Sequence, residues 1–442
     1  MESMTGQTTQ RDRHPSNSFY SSFHIEANHL SEGDGIATAE QQTSSAGEIK
    51  GSSRKSSLRF IILLGVVSLF ADMTYEGAKS ITGSYLAILG ASATAVALII
   101  GFGELIGYTP RILSGSLIDK TGRYWTLMFI GYGVNLFAVP FLAFTGDWTT
   151  VAVLIIIERA GKAIRAPARD AMLSHAAKGI GSGWAFGLHE ALSSVGAMLG
   201  PVAVAIVLMS KGGYQLGFLI LLFPAIVAMI ILVAAWKHYP TPRDFEAVEV
   251  PRGPKKFPRV FWLYVAGASL IAAGFADFPF ISYHFQKIAS VPEIWIPIFY
   301  AVANGVDALG AIVFGRLFDN RGMTILIIGT FASAFFAPLV FLDNFYFALL
   351  GMTLFGLGIG LQESVMRAII VQMIPPNKRG SAYGIYSTAF GIFWFFGTAL
   401  MGILYTYSVQ ATVVFSVGAQ LAGVAVFIRV RRSMRMTESS AK

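Results

Sequence analysis

The feature that most restricts this chain is a series of apolar stretches, each close to the ~20 residues a helix needs to cross a bilayer. They fall at residues 58–88, 94–116, 124–145, 149–170, 183–209, 214–237, 259–285, 294–317, 324–342, 346–373, 382–405 and 410–430. In lipid every backbone N–H and C=O must be satisfied internally, which a helix achieves within one segment. The stretches therefore predict an all-α membrane protein with twelve transmembrane helices. Charged residues make up only 13% of the 442, where a soluble domain carries about a quarter.

Residues 1–57 are rich in Ser, Thr, Gln, Gly and Glu and lack both an apolar period and a signal-peptide core, which predicts a disordered cytoplasmic tail. The one long interior polar segment, Lys237–Arg259, is excluded from the membrane by its prolines and charges. It predicts a central cytoplasmic loop at 238–258 between an N-terminal six-helix bundle, 58–237, and a C-terminal one, 259–430, with 431–442 as a second cytoplasmic tail. Basic residues crowd one set of loops (Arg54, Lys55, Lys120, Arg123, Lys178, Lys255, Lys256, Arg321, Lys378, Arg431), whereas Lys211 and Lys287 stand on the other side. By the positive-inside rule both termini are cytoplasmic, in the cell membrane. These loops account for the net charge of +8, so no nucleic-acid partner is expected. With no cysteine, disulfides and thiolate metal sites are excluded.

The segment GSLIDKTGRY, Gly115–Tyr124, reappears as GRLFDNRGMT, Gly315–Thr324, after the second span of each half. Two six-helix halves of parallel topology follow. The first copy resembles the loop motif G-x-L-x-D-[RK]-x-G-[RK]-[RK] of the major facilitator superfamily through Gly115, Leu117, Asp119, Lys120, Gly122 and Arg123, with Tyr124 in place of the last base. The second keeps Gly315, Leu317, Asp319 and Gly322. In the fifth span Gly187, Gly196, Gly200 and Pro201 stand at the spacing G-x8-G-x3-G-P, similar to a fifth-helix signature of the proton-coupled exporters, with Val204 and Ala205 where that signature closes in glycines. Arg159 falls where the family places a fourth-helix arginine. The resemblance implies a secondary transporter whose halves rock about a midplane site, with Asp119 as a latch of the outward-facing state. The residues carry part of this on their own. Gly122 permits a tight loop, and Asp119, at the C-terminal end of a helix, needs a base or another helix's N-terminus to offset its own dipole. The fifth-span glycines allow close helix approach and Pro201 a bend.

An ionised side chain at the bilayer centre costs about 2.5 to 3.5 kcal/mol on insertion scales, so charges inside spans point to a wet path. The fourth span holds Glu158, Arg159, Lys162 and Arg165, with Arg169 and Asp170 at its cytoplasmic end. Glu158, Lys162, Arg165 and Arg169 fall within about 60° on one helix face, a stripe of about 16 Å, and Glu158 and Lys162 are expected to pair at i,i+4. Asp72, Glu76 and Lys79 share one face of the first span; Glu104, Tyr108 and Arg111 share one face of the second. Glu190 lies in the fifth, Asp277 in the seventh, Asp307 in the eighth with Asn304 one turn earlier, and Glu363 and Arg367 in the tenth at i,i+4. Two close carboxylates resist double ionisation, which makes Asp72 and Glu76 the first candidates to carry a coupling proton. Asp277, with no base near it in sequence, is the next.

His175, His189, His238 and His284 are scattered in depth and no ligand spacing occurs, so no metal is expected. No nucleophile elbow, phosphate loop or nucleotide fingerprint appears, which argues against an enzyme, an ATP-driven pump or any cofactor. The expectation is a monomeric secondary transporter whose partners are the bilayer, a small solute and a proton. The direction expected is export of a small polar or amphipathic solute. An uptake symporter is the nearest alternative, and a non-transporting receptor of the same fold is a third reading.

Overall fold

The computed structural model describes residues 32–440 except 112–113, 115–116, 118–120, 178–181, 241–256 and 376–378. Residues 53–442 form one compact unit, built among the described residues from helices alone. The first half holds α1 (Lys55–Ile88), α2 (Ala93–Tyr108), α3 (Tyr124–Phe144), α4 (Trp148–Ala177), α5 (Trp184–Met209) and α6 (Gly213–His238). The second holds α7 (Arg259–Ile288), α8 (Trp295–Phe318), α9 (Met323–Val340), α10 (Phe345–Ile370), α11 (Ser381–Tyr407) and α12 (Val409–Met434). Ten of these are long and apolar enough to span a membrane. The other two are α2, short but apolar, and α4, whose 30 residues carry the six charges noted above. Large apolar side chains such as Phe223, Ile230, Phe396 and Val414 are exposed on the bundle, a surface suited to hydrocarbon.

The helix containing α1 begins at Glu32 and the one containing α12 ends at Ser440. In residues 32–52, which belong to a unit of their own, Ala, Glu, Gln and Lys are good helix formers.

Short breaks occur in α6 at Leu221 and in α9 at Ala334 and Phe335, and two others bear on the site. In α7 the helix stops at Gly274 and restarts at Phe278. Asp277 caps the second piece, its Oδ1 accepting the Phe278 N–H at 2.8 Å, and Pro279 fits the first turn, where its missing N–H is harmless. In α10 a π-helical turn runs over Leu361–Val365. Both interruptions point into the space between the halves. The matching loops after α2 and α8 contain Gly122 at φ +62° and Gly322 at φ +54°, backbone values that side chains other than glycine rarely adopt.

The helices pack closely where glycines permit. A Cβ on Gly196 would strike the Leu69 carbonyl, and one on Gly200 the Met73 carbonyl, so α5 lies directly on the α1 backbone. Gly187, the first glycine of the same motif, has open space around it. Gly356 brings α10 against Ala303 of α8, and Gly397 brings α11 against Ala273 of α7.

The halves meet along α2 and α11 as far as Tyr108 and Phe390, and several hydrogen bonds join them toward the end of the bundle where α1 turns into α2. Ser84 donates to the Ser282 carbonyl at 3.1 Å, Tyr214 to Gln286 at 3.0 Å, and Thr94 to the Gly402 carbonyl at 3.1 Å. Deeper in, Asn304 donates to the Ala197 carbonyl at 2.9 Å.

Candidate functional site

A cavity of about 160 Å³ lies between the halves, and much of its lining is ionisable. From the first half it receives Asp72, Glu76 and Lys79 of α1, Glu104 of α2, Lys162 of α4 and Glu190 of α5. From the second half come Asp277 at the α7 break, Asp307 of α8 and Glu363 in the α10 π turn. An adjoining cavity of about 280 Å³ shares Tyr108, Glu363 and Trp394 with it and adds Arg111, Asp170 and Arg367. Charges scattered over several spans in the sequence thus line adjoining cavities between the halves.

The partners differ from those that spacing along single helices suggests. Asp277, expected to have no base, accepts from Lys79 Nζ at 2.9 Å, an ion pair that crosses between the halves. The base lies far away in sequence and reaches it because the α7 break faces α1. Lys79 also lies 3.8 Å from Glu104, which in turn holds Arg159 at 3.1 Å, and Arg159 lies 3.4 Å from Glu158. A chain of charges therefore runs from Glu158 through Arg159, Glu104 and Lys79 to Asp277.

Glu158 and Lys162 do not form the expected pair. Glu158 Oε1 accepts from Asn135 of α3 at 2.6 Å and turns toward Arg159, while the Lys162 ammonium lies 4.3 Å from the centre of the Tyr75 ring. The α4 stripe is divided the same way further along. Arg165 is completely buried, its guanidinium 4.4 Å from the Tyr132 ring and 5.5 Å from that of Tyr75, with none of its side-chain nitrogens hydrogen-bonded. Arg169 pairs with Asp170 at 2.8 Å. Nor do Glu363 and Arg367 make an ion pair: the π turn widens the helix at Glu363 and takes i and i+4 out of register. Arg111 turns back to the Gly107 carbonyl at 2.7 Å and stacks on Tyr108, separate from Glu104.

On α1, Asp72 takes the hydroxyl of Ser193 from α5, while its Oδ1 is buried without a partner. Glu76 accepts from Tyr300 of α8 at 2.5 Å, a second polar contact across the halves. His189 sits outside the cavity lining, hydrogen-bonded to Ser68 at 2.8 Å. Among the described residues no three His, Cys, Asp or Glu side chains converge closely enough to hold a metal ion. Gly115, Asp119 and Lys120 lie outside the described residues, as do the side chain of Asp319 and position Gly315's surroundings, so the loop motif is represented here by Gly122, Arg123 and Gly322.

Several lining residues were not singled out in the sequence: Tyr75, Ser193, Phe275, Tyr300, Phe355 and Trp394. Tyr300 carried a signal, since with Asn304 and Asp307 it falls on one face at i, i+4 and i+7. Asn135, an amide in the middle of an apolar span, carried another.

Residues 61–398 and 321–442 match the profile of the Major Facilitator Superfamily. The chain belongs to that superfamily. An uncharacterised protein of Mycobacterium tuberculosis (strain ATCC 25618 / H37Rv) is 35% identical over 383 residues, covering 85% of this chain and 94% of its own length. An uncharacterised MFS-type transporter of Methanocaldococcus jannaschii is 25% identical over 377 residues, covering 82% and 92%. Among solved structures, the peptide transporter POT in complex with sulfate superposes with a TM-score of 0.66 at 13% identity, covering 86% of this chain and 94% of that one. As a major facilitator, the chain is a multi-pass membrane transporter of twelve helices in two halves.

Proposed function

We propose that this major facilitator is a proton-coupled exporter of a small polar or amphipathic solute, acting as a monomer in the cytoplasmic membrane with both termini in the cytoplasm. The observation that carries the coupling is the Lys79–Asp277 ion pair at 2.9 Å between the halves. Rocking the halves apart at that depth must break it, and a proton on Asp277 removes the charge that Lys79 holds. Glu76, bound to Tyr300 across the same interface, is the second coupling carboxylate. Asp72, whose bond to Ser193 stays within the first half, has the least to release. Export as the direction rests on the α5 segment, whose Gly196 and Gly200 pack on α1. With the termini cytoplasmic, the end where α1 turns into α2 is the outer one, and the loops after α2 and α8 lie inside, where Asp119 would latch.

The test is transport in proteoliposomes driven by an imposed pH gradient of either direction, set beside substrate counterflow, which needs no net proton movement. Asp277→Asn and Glu76→Gln are expected to lose gradient-driven accumulation and keep counterflow. If both variants keep full gradient-driven transport, the proton travels elsewhere. Accumulation only with the gradient of a symporter would reverse the direction.

A further inference from the structure

We infer that the solute this cavity takes is an organic cation, an ammonium or similar centre on a flat apolar body. The inference rests on the transporter reading and narrows it to a substrate class. Seven carboxylates and two lysines line the cavity. Lys79 is occupied by Asp277 and Glu104, and Arg159, behind it, by Glu104 and Glu158. Among the described residues Asp72, Glu190, Asp307 and Glu363 are left without an ion pair, as is Glu76, which accepts from Tyr300, and Lys162, turned to the Tyr75 ring, can answer one of them at most. Asp307 shares the lining of this one cavity with Glu363, Glu190 and Glu76, and like charges gathered there repel one another. A carboxylate group left in that arrangement favours any cation that can enter.

Two further observations point to a ligand. Asp72 and Asp277 are each only 2% exposed, yet Asp72 Oδ1 and Asp277 Oδ2 have no hydrogen-bond partner although both residues line the cavity. The same cavity has an aromatic wall: Phe275 stacks on Phe355 at 4.9 Å and meets Trp394 at 5.9 Å, and all three line the cavity. Ring faces attract cations and cover apolar bodies. A bare metal ion fits less well, because no three ligating side chains converge among the described residues and hard cations need several oxygens in one shell. An anion would meet Arg367 and Arg111 only in the adjoining cavity. Of the other α4 bases, Arg165 is sealed among Tyr132 and Tyr75 and Arg169 is paired with Asp170.

The test uses the full chain in detergent, with N-methylquinolinium, benzyltrimethylammonium, benzenesulfonate and benzyl alcohol as probes in titration calorimetry. Both cations should bind and the other two should not. Glu190→Gln and Asp307→Asn should each weaken cation binding about ten-fold or more, and Glu190→Asp should retain it. Size-exclusion profiles matching the parent keep lost binding distinct from lost folding, and Glu363→Gln serves if either variant fails that check. Benzenesulfonate or benzyl alcohol binding as tightly as the cations overturns the inference, as does failure of both cations to bind or unchanged cation affinity in the neutralised variants. Counterflow of a neutral or anionic solute would overturn the cation class while leaving the transporter reading intact. Absence of counterflow for every probe, with the cations still bound, would instead count against the transporter reading.

Discussion

Asn135 donates to both the Glu158 side chain, at 2.6 Å, and the Glu158 carbonyl, at 3.1 Å. The amide thus fixes the carboxylate at the start of a charge chain that ends on Asp277. Asn135→Ala should leave Glu158 partly unsatisfied and lower stability by about 1 to 3 kcal/mol, read as a lower midpoint of thermal unfolding in detergent; an unchanged midpoint would show that the amide carries no such role. At the far end, Lys79→Gln and Asp277→Asn should be non-additive in a double-mutant cycle, with a coupling of about 0.5 to 3 kcal/mol in stability or in transport at matched expression. Glu158 and Lys162, which point to different partners, should give additive effects. Which residues are ionisable and which spans hold them could be read from the sequence. Their partners could not, because i,i+4 reasoning sees one helix, whereas Asp277 and Glu104 are held by bases on other helices.

Close packing of α5 on α1 makes a sharp comparison within one motif. Gly200→Val puts a side chain into the Met73 carbonyl and the Gly77 backbone and should cost about 1 to 3 kcal/mol or block folding. Gly187→Ala, with nothing within 4 Å of the added carbon, should be neutral in the same unfolding measurement. Equal losses would mean that the spacing matters for some reason other than contact with α1. The glycine pattern was visible in the sequence, but not which glycines meet a backbone, since that depends on the neighbouring helix. The α7 break had a faint signature, an Asp two residues before a Pro, hidden inside a long apolar run. The π turn of α10 has none, because a π turn reflects packing and local hydrogen bonding more than composition.

The whole molecule was the most legible level: long apolar stretches, loop charges and the repeated loop sufficed for twelve helices in two halves. Hydrophobicity acts over a span of ~20 residues and does not need to know what packs beside it. If the halves must separate at the α1–α2 end, linking them there should stop the cycle. Thr94 and Thr406 have their hydroxyls 3.0 Å apart across the halves, and the chain has no native cysteine. Thr94→Cys with Thr406→Cys, oxidised, should abolish transport, and reduction should restore it; full activity while cross-linked would exclude a rocking cycle at this interface. The charges of α4 bear also on how the chain enters the membrane. At about 2.5 to 3.5 kcal/mol for each charge near the centre, a segment carrying Glu158, Arg159, Lys162 and Arg165 is a poor substrate for the insertion machinery when it arrives alone. Its neutralising and stacking partners, Glu104, Asn135, Tyr75 and Tyr132, all belong to helices synthesised before it. Biogenesis of this protein should therefore be ordered: in a glycosylation reporter α4 alone should fail to integrate, and it should integrate once α1, α2 and α3 precede it.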